Sequence, residues 1–454
     1  MSAAEQTLLI LGATGDLTKR LLLPGLGGLL AAGHGEGLSV IGSSRAELDQ
    51  ARWRERVADS LAAGNARGGQ AEAVVRSTRY IQADIAREDD MRRLLNACRG
   101  QVIVFFALAP AVTLTASKVL CEVELPPGTR LVLEKPFGTD AASAAALNDL
   151  LARLVPEDQV YRVDHYLGMS TVLNILGLRF ANRMLEPVLR AEHVESVDIV
   201  FDETLALEGR AGYYDRAGAL IDMIQSHSLQ VLSLVAMEAP STLGARDVRD
   251  AKAQVLRASR VWDDDPARWS RRARYTAGVV DGRRLPSYVD EEGVVLDRDT
   301  ETLAEVVLAV DTWRWAGVPF RLRAGKALRT QRKEVVITFR APRWVPSGLT
   351  GYDQPDRLRI GLDPDVIGLD FNVSGRGHPL VIDPFTLEAG VGAGHLPAYG
   401  AVLKGVLEGD PRLSVRGDTA VECWRIVEPV LKAWRDGSVP LEDYPAGSAR
   451  PAGW

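Results

Sequence analysis

Between residues 7 and 140, short apolar runs alternate with longer amphipathic ones, and this alternation constrains the fold of the 454-residue chain more than any other feature. Leu8 to Leu11 is followed by 18 to 32, Leu38 to Gly42 by 46 to 62, and Arg79 to Gln82 by 88 to 98. Val102 to Ala107 and Arg130 to Leu133 continue the series. Apolar runs too short for helices, bounded by turn residues, read as buried strands, and the stretches between them as crossover helices. The order predicts a parallel sheet with helices on both faces, an α/β Rossmann-like domain. An alanine-rich helix, Ala141 to Leu154, then leads through Pro156 to a boundary near 160 to 170, followed by a long helix from about 169 to 181. From 193 onward the alternation is mostly period two, as in Val194 to Phe201, Val335 to Phe339, Leu358 to Leu362 and Ile367 to Val373. That period predicts an α+β domain built on a large, mainly antiparallel sheet, with helices on one face and the helix 217 to 236 beside it. The expected domains are 1–165 and 166–454, since the chain is too long for one compact core. Residues 440 to 454, rich in Pro, Gly and Ala, are expected to form a weakly held tail.

Composition removes several classes of function. Hydrophobic residues make up 46% and charged residues 25%, and no uninterrupted apolar run approaches the roughly 20 residues of a membrane helix. Met1 to Ile10 lacks a basic start and a small-residue cleavage site, so the cytoplasm is the expected compartment. Three well-separated cysteines, Cys98, Cys121 and Cys423, offer neither a disulfide framework nor a CxxC site. His34, His165, His193, His227, His378 and His395 form no HExxH-like cluster, and no protein-bound metal is expected. A net charge of −6 and a pI near 5.7 argue against nucleic acid as a partner and leave a small molecule as the expected ligand.

The first predicted strand runs into Gly12, Ala13, Thr14, Gly15, Asp16 and Leu17, and a helix follows. A glycine-bearing turn there brings backbone N–H groups and a helix N-terminus against a pyrophosphate, the geometry of dinucleotide binding. The pattern departs from GxGxxG, and a tight βα turn wants glycine for its own sake, so the purely structural reading stands beside it. The second strand ends in Ser43, Ser44 and Arg45, with no acidic residue for a free ribose 2′-hydroxyl. An arginine suits a 2′-phosphate and favours NADP over NAD, against the alternative of a solvated surface side chain. Asp84 and Ile85 close the third strand, near where an adenine would rest. Lys135, before Pro136 at the end of a later strand, is placed to hydrogen-bond both a nicotinamide amide and a sugar hydroxyl, and a cis Pro136 would aim it.

Arg162, Val163, Asp164, His165, Tyr166, Leu167 and Gly168 crowd too many polar groups together for an ordinary core segment. Farther on, His227 lies among Leu and Val at helical spacing that implies burial. A carboxylate that orients a buried histidine makes a general base, and Asp164 with His227 form the candidate pair. A buried histidine is by itself more often a satisfied core residue than a base.

GATGDL, EKPFG, RVDHYLG, GRAGYYD, SHSLQVLSLVAMEAP and VPFRLRAGKAL, in this order and spacing, resemble the glucose-6-phosphate dehydrogenase family over most of the chain, least from about 240 to 300 and beyond about 340. The resemblance implies NADP as cofactor and oxidation of glucose 6-phosphate at C1 to a lactone. It implies His227 as proton acceptor, Asp164 as the carboxylate that steadies it, and Lys135 shared between cofactor and sugar. It implies His165 and Tyr166 as sugar-phosphate ligands, Glu203 and Asp222 as acceptors of sugar hydroxyls, and Lys326 as a further substrate ligand. For Glu203 and Asp222, surface pairing with arginines is the plain alternative. The resemblance also implies a dinucleotide-binding domain at 1–165, a substrate-binding and dimerisation domain at 166–454, and a homodimer or dimer of dimers. The chain departs from the family pattern at Met169 and Leu21, where the family has lysine, at Ser226, where it has Asn, and at Ala109, where it has the first of two prolines. The lysine losses fall on the phosphate site, so a C1 dehydrogenase of an unphosphorylated or differently modified sugar is the alternative, with a non-catalytic NADP-binding paralogue behind it.

Overall fold

A computed structural model describes residues 5–351, 354–375, 377–392, 394, 396–451 and 454; His395 lies outside them. The chain divides into two compact units. The first comprises residues 1–170, 240–250 and 394–422; the second comprises 171–239, 251–393 and 423–454. The first unit is thus discontinuous, and the late segment 394–422 completes it.

In the first unit the five predicted strands form as β1 (Gln6–Leu11), β2 (Leu38–Ser44), β3 (Arg79–Gln82), β4 (Gln101–Phe106) and β5 (Arg130–Glu134), and a further strand, β6 (Val160–Val163), follows where only a domain boundary was expected. They pair in parallel in the order β6-β5-β4-β1-β2-β3, and Ser414–Val415 adds an antiparallel edge to β6. Leu8, Ile10, Ile103, Phe105, Val132 and Val163 are buried, because helices cover both faces of a parallel sheet. The order reverses between β1 and β4, the switch point at which such sheets bind ligands.

The stretch expected as a single helix, 18 to 32, is in two parts. Thr18–Leu22 winds as a wide π-helical turn and Leu23–Ala31 as an α-helix. Pro24 has no N–H to donate, and this helps to explain why the regular ladder starts only after the wide turn. Gly25 lets this helix meet Ala398–Glu408 closely, since a Cβ there would lie 2.6 Å from Cβ of Tyr399.

The second unit is a mixed sheet of β7 (Val194–Asp202), β8 (Ser259–Val261), β9 (Ser270–Thr276), β10 (Leu303–Val310), β11 (Phe320–Gly325), β12 (Arg332–Phe339), β13 (Arg357–Asp363), β14 (Val366–Ser374), β15 (Ile382–Gly390) and β16 (Leu441–Pro445). The order is β15-β14-β13-β12-β7-β11-β10-β9-β16, with β8 pairing on β10. Only β7/β11 and β9/β16 are parallel. The helical stretch Ala211–Ala236 lies on β7, β10 and β11. Although long and apolar enough to cross a membrane, it is 78% buried over its most apolar window, as a core element is. It differs from the helix expected at 217 to 236. The chain is already helical at Ala211, breaks at Gly218 (φ +64°), and is π-helical over Leu220–Ser228 before Leu229–Ala236 regains α geometry.

The weakly held tail expected at 440 to 454 is overturned. Leu441–Pro445 forms β16, in parallel register with Ser270–Thr276, and Tyr444 is 0% exposed. Its hydroxyl donates to the Lys326 carbonyl at 2.6 Å and lies 2.8 Å from Thr302 Oγ1. The tyrosine ring and the ladder outweigh the Pro and Gly around them; residues 452 and 453 lie outside the described part. Tyr444→Phe should therefore destabilise the protein by about 1–3 kcal/mol, because it leaves a buried carbonyl short of its donor. Urea unfolding at constant m-value measures this, and a change below roughly 0.5 kcal/mol would place the tail's anchorage elsewhere.

Candidate active site

In the first unit the turn after β1 is tied to β2: the amides of Gly12 and Ala13 donate to the Ser43 carbonyl at 2.8 and 2.9 Å, and that of Gly15 to the Gly12 carbonyl at 3.0 Å. Gly12 sits at φ +92°, and a Cβ there would lie 2.2 Å from the Ala107 carbonyl oxygen at the end of β4. Only glycine permits both that dihedral and that approach. Among the described residues the amides of Thr14, Asp16 and Leu17 donate to no carbonyl or side chain. Donors left open where a helix begins fit a pyrophosphate. Thr14 Oγ1 donates to Ser44 Oγ at 3.1 Å, which shapes the turn against β2. Arg45 follows β2, exposed and without an ion pair among the described residues, as a 2′-phosphate ligand would be. Asp84 and Ile85 lie just past β3, and the Asp84 carboxylate accepts the Ala86 amide at 3.1 Å.

Glu134 ends β5, and the Lys135–Pro136 peptide that follows is cis. Glu134 Oε1 accepts the hydroxyl of Tyr399 at 2.7 Å. Burial pushes the Glu134 carboxyl up to about 7, even though the Tyr399 hydrogen bond and the Lys135 charge pull it down; Asp164 adds to the rise. The Tyr399 phenol is raised in turn by burial and by Glu134. Its ring stacks on His165 at 5.8 Å and 21°. His165 is half-buried and lies 4.8 Å from the Tyr166 ring, and Asp164 Oδ1 accepts the Tyr166 amide at 3.0 Å. Arg162, in the same segment, belongs to the framework. It is fully buried and donates to Glu157 Oε1 at 2.9 Å and Asn148 Oδ1 at 2.7 Å. Met169 is half-buried and Leu21 is 45% exposed.

In the second unit β7 and β11 run side by side, with Asp202 opposite Gly325. This register sets Glu203 against Lys326. The Glu203 amide donates to the Gly325 carbonyl at 2.8 Å, and Lys326 Nζ lies 2.7 Å from Glu203 Oε2. Lys333 is 3.7 Å from the other carboxylate oxygen. Burial alone would raise the Glu203 carboxyl, but the Lys326 charge and hydrogen bond hold it below its usual range. Lys326 also sits 5.1 Å over the Tyr214 ring. Asp222 hydrogen-bonds Tyr213, whose phenol burial and the Asp222 charge push up. His227 lies on the same π-helical segment as Asp222 and is 1% exposed. Ser226 Oγ donates to the Asp222 carbonyl at 2.8 Å, a bond that ties the turn before the histidine to the start of that segment.

The family model "Glucose-6-phosphate dehydrogenase, NAD binding domain" matches residues 9–174, and "Glucose-6-phosphate dehydrogenase, C-terminal domain" matches 176–454. The chain belongs to the glucose-6-phosphate dehydrogenase family. It is 41% identical to a glucose-6-phosphate 1-dehydrogenase of Gluconobacter oxydans, with 97% of this chain and 94% of the relative covered. It is 36% identical to one of Rhizobium meliloti, with 98% and 94% covered. A solved glucose-6-phosphate dehydrogenase in complex with glucose 6-phosphate superposes at TM-score 0.88 with 31% identity, over 100% of this chain and 97% of the other. The family membership agrees with the NADP-suited turn and with the two-part architecture.

Two groups of residues escaped the sequence reading. Glu134 lies in the EKPFG motif, which by itself gives it no role, and Tyr399 lies where the resemblance is weak. Tyr213 and Tyr214 lie in GRAGYYD, and nothing in that motif ties them to Asp222 and Lys326. A tyrosine at a helix start signals nothing until its partner is in view. The folded Glu134 carboxyl binds its proton more tightly than the unfolded one, whose ordinary value is 4.5. Its contribution to stability is therefore complete below that value and is lost as pH rises through about 7. Glu134→Gln cannot ionise, so its unfolding free energy should fall less between pH 5 and 8 than that of the wild type, by at least about 1 kcal/mol. Superimposable urea-derived stability curves would mean that Glu134 does not titrate in this window.

Proposed function

We propose that this protein oxidises glucose 6-phosphate at C1 to 6-phosphoglucono-1,5-lactone with NADP. The observation that carries the reading is the 41% identity over 97% of the chain to a glucose-6-phosphate 1-dehydrogenase. In this reading the His227 imidazole takes the proton of the C1 hydroxyl, the C1–H electron pair leaves as hydride, and the C1–O bond becomes a carbonyl. Bound NADP supplies the hydride acceptor at C4 of its nicotinamide ring. The Asp164 carboxylate steadies the imidazolium that proton transfer creates. Lys135 serves both the cofactor and the sugar, and His165 and Tyr166 hold the phosphate. Glu203 and Asp222 accept sugar hydroxyls, and Lys326 is a further substrate ligand. The open amides of the β1 turn, with Arg45, hold the cofactor phosphates, and Asp84 with Ile85 border the adenine. Neither a metal nor a protein nucleophile is required for these steps.

His227→Asn tests the base: kcat should fall by a factor of about 10² to 10⁴ while the NADP dissociation constant stays within about twofold. Unchanged turnover would remove His227 from the role. Met169 favours one second reading, a C1 dehydrogenase of a sugar without the 6-phosphate. A methionine in place of a lysine forgoes a charge-assisted bond of about 1.5–3 kcal/mol, tenfold to a hundredfold in affinity. Measured kcat/KM for glucose 6-phosphate and for glucose decides between them. A preference for the phosphate beyond about a thousandfold, some 4 kcal/mol, sinks the second reading.

We further propose a homodimer formed through the large sheet, working in the cytoplasm. The edge strand β15 supports the dimer, since Phe385 is 43% and Leu387 53% exposed there, an uncovered apolar edge. Sedimentation velocity at micromolar concentration should show about twice the chain mass of 49.3 kDa, and a single monomeric species would overturn the assignment.

A further inference from the structure

Asp222 and His227 ride on a helical stretch whose start is gripped from a neighbouring strand. Glu301 stands two residues before β10 and is almost fully buried. Its carboxylate accepts the amide of Leu220 at 2.9 Å, and its own carbonyl accepts the amide of Ala219 at 3.3 Å. Two successive amides of the first turn, which no helical carbonyl reaches, are thus satisfied by one residue. The approach has a steric signature. Gly218 sits at φ +64°, and a Cβ at that position would lie 2.3 Å from Glu301 Oε1. The chain gives up both a side chain and helical geometry at Gly218 to bring the carboxylate onto the helix start.

The next residue extends the hold. The Thr302 carbonyl accepts the Lys326 amide at 2.9 Å, and Tyr444 joins Thr302 Oγ1 to the Lys326 carbonyl. Glu301 and Thr302 therefore set two things from one point of the sheet: the helical stretch with Asp222 and His227, and the strand end with Lys326.

We propose that Glu301 is a positioning residue for the dehydrogenase reaction, its carboxylate and carbonyl fixing the axial placement of the helix that carries Asp222 and His227. The proposal rests on the reading of His227 as the base. Burial pushes the carboxyl up to about 7, against the pull of its backbone donors and of Arg272 on β9. Tyr214 and Tyr288 are the other titratable groups that feel its charge. Neutral or ionised, an oxygen of Glu301 accepts the Leu220 amide, so acceptor position and not charge is what the helix needs.

Glu301→Gln keeps an acceptor in place, whereas Glu301→Asp retracts it by one methylene. The glutamine variant should keep kcat within about twofold, and the aspartate variant should lose roughly tenfold in kcat with KM for glucose 6-phosphate nearly unchanged, since a small misplacement of a base acts on the chemical step. Amide hydrogen exchange over Leu220–Gln225 should accelerate in the aspartate variant alone. Aspartate with wild-type kcat, equal losses in both variants, or loss of the near-ultraviolet circular dichroism signal together with activity would each overturn the proposal, the last by making Glu301 a matter of stability only. If the wild type itself does not oxidise glucose 6-phosphate, the functional reading fails, and the exchange measurement still decides whether Glu301 holds the helix.

Discussion

A carboxylate taken out of water must find donors or keep its proton, and in this chain four fully or partly buried carboxylates find donors far along the sequence. Glu134 is met by Tyr399, Glu203 by Lys326, and Glu301 by the amide of Leu220. Asp215, fully buried, takes the hydroxyl of Tyr288 at 2.8 Å and the guanidinium of Arg298. Each pairing specifies one arrangement of segments that apolar contacts alone would leave adjustable, because slipping any of them strands a charge at a cost of several kcal/mol.

The same pairings hold side chains of the candidate site. In the first unit Tyr399 is hydrogen-bonded to Glu134, just before the candidate residue Lys135, and stacked on the candidate residue His165. In the second unit the β7/β11 register brings Glu203 to Lys326, and the Glu301–Thr302 pair adds the helix start and the Lys326 backbone. Side chains of this kind are held by rigid elements and by second partners, the kind of support that a base and substrate ligands in the proposed roles require.

Much of this was legible in the residues. The first five strands of the first unit were readable because a parallel sheet buried on both faces is written as short continuous apolar runs, and the period-two strands of the second because one polar face alternates with one apolar face. The turn at Gly12 and the segment Asp164 to Gly168 were readable because their residue types are costly unless they serve a purpose. The C-terminal strand was misread: Pro, Gly and Ala around Tyr444 look like a tail, and only a sheet edge waiting at β9 turns them into β16. The break at Gly218 was missed because a lone glycine inside a helical pattern is usually tolerated, and its reason, the Glu301 carboxylate, lies far downstream.

By itself the sequence determined the two-part architecture, the family and the nucleotide turn, and it marked out the residue types proposed for proton transfer, since these are properties of local periodicity and of motifs whose chemistry is contained in a few adjacent residues. Tertiary structure alone decided which donors satisfy the buried carboxylates, how the helix bearing His227 is anchored, and that segment 394–422 returns to the first unit with Tyr399. Those are pairings between residues remote in the chain, and no local pattern encodes a hydrogen bond whose partner is chosen by the packing of the whole domain.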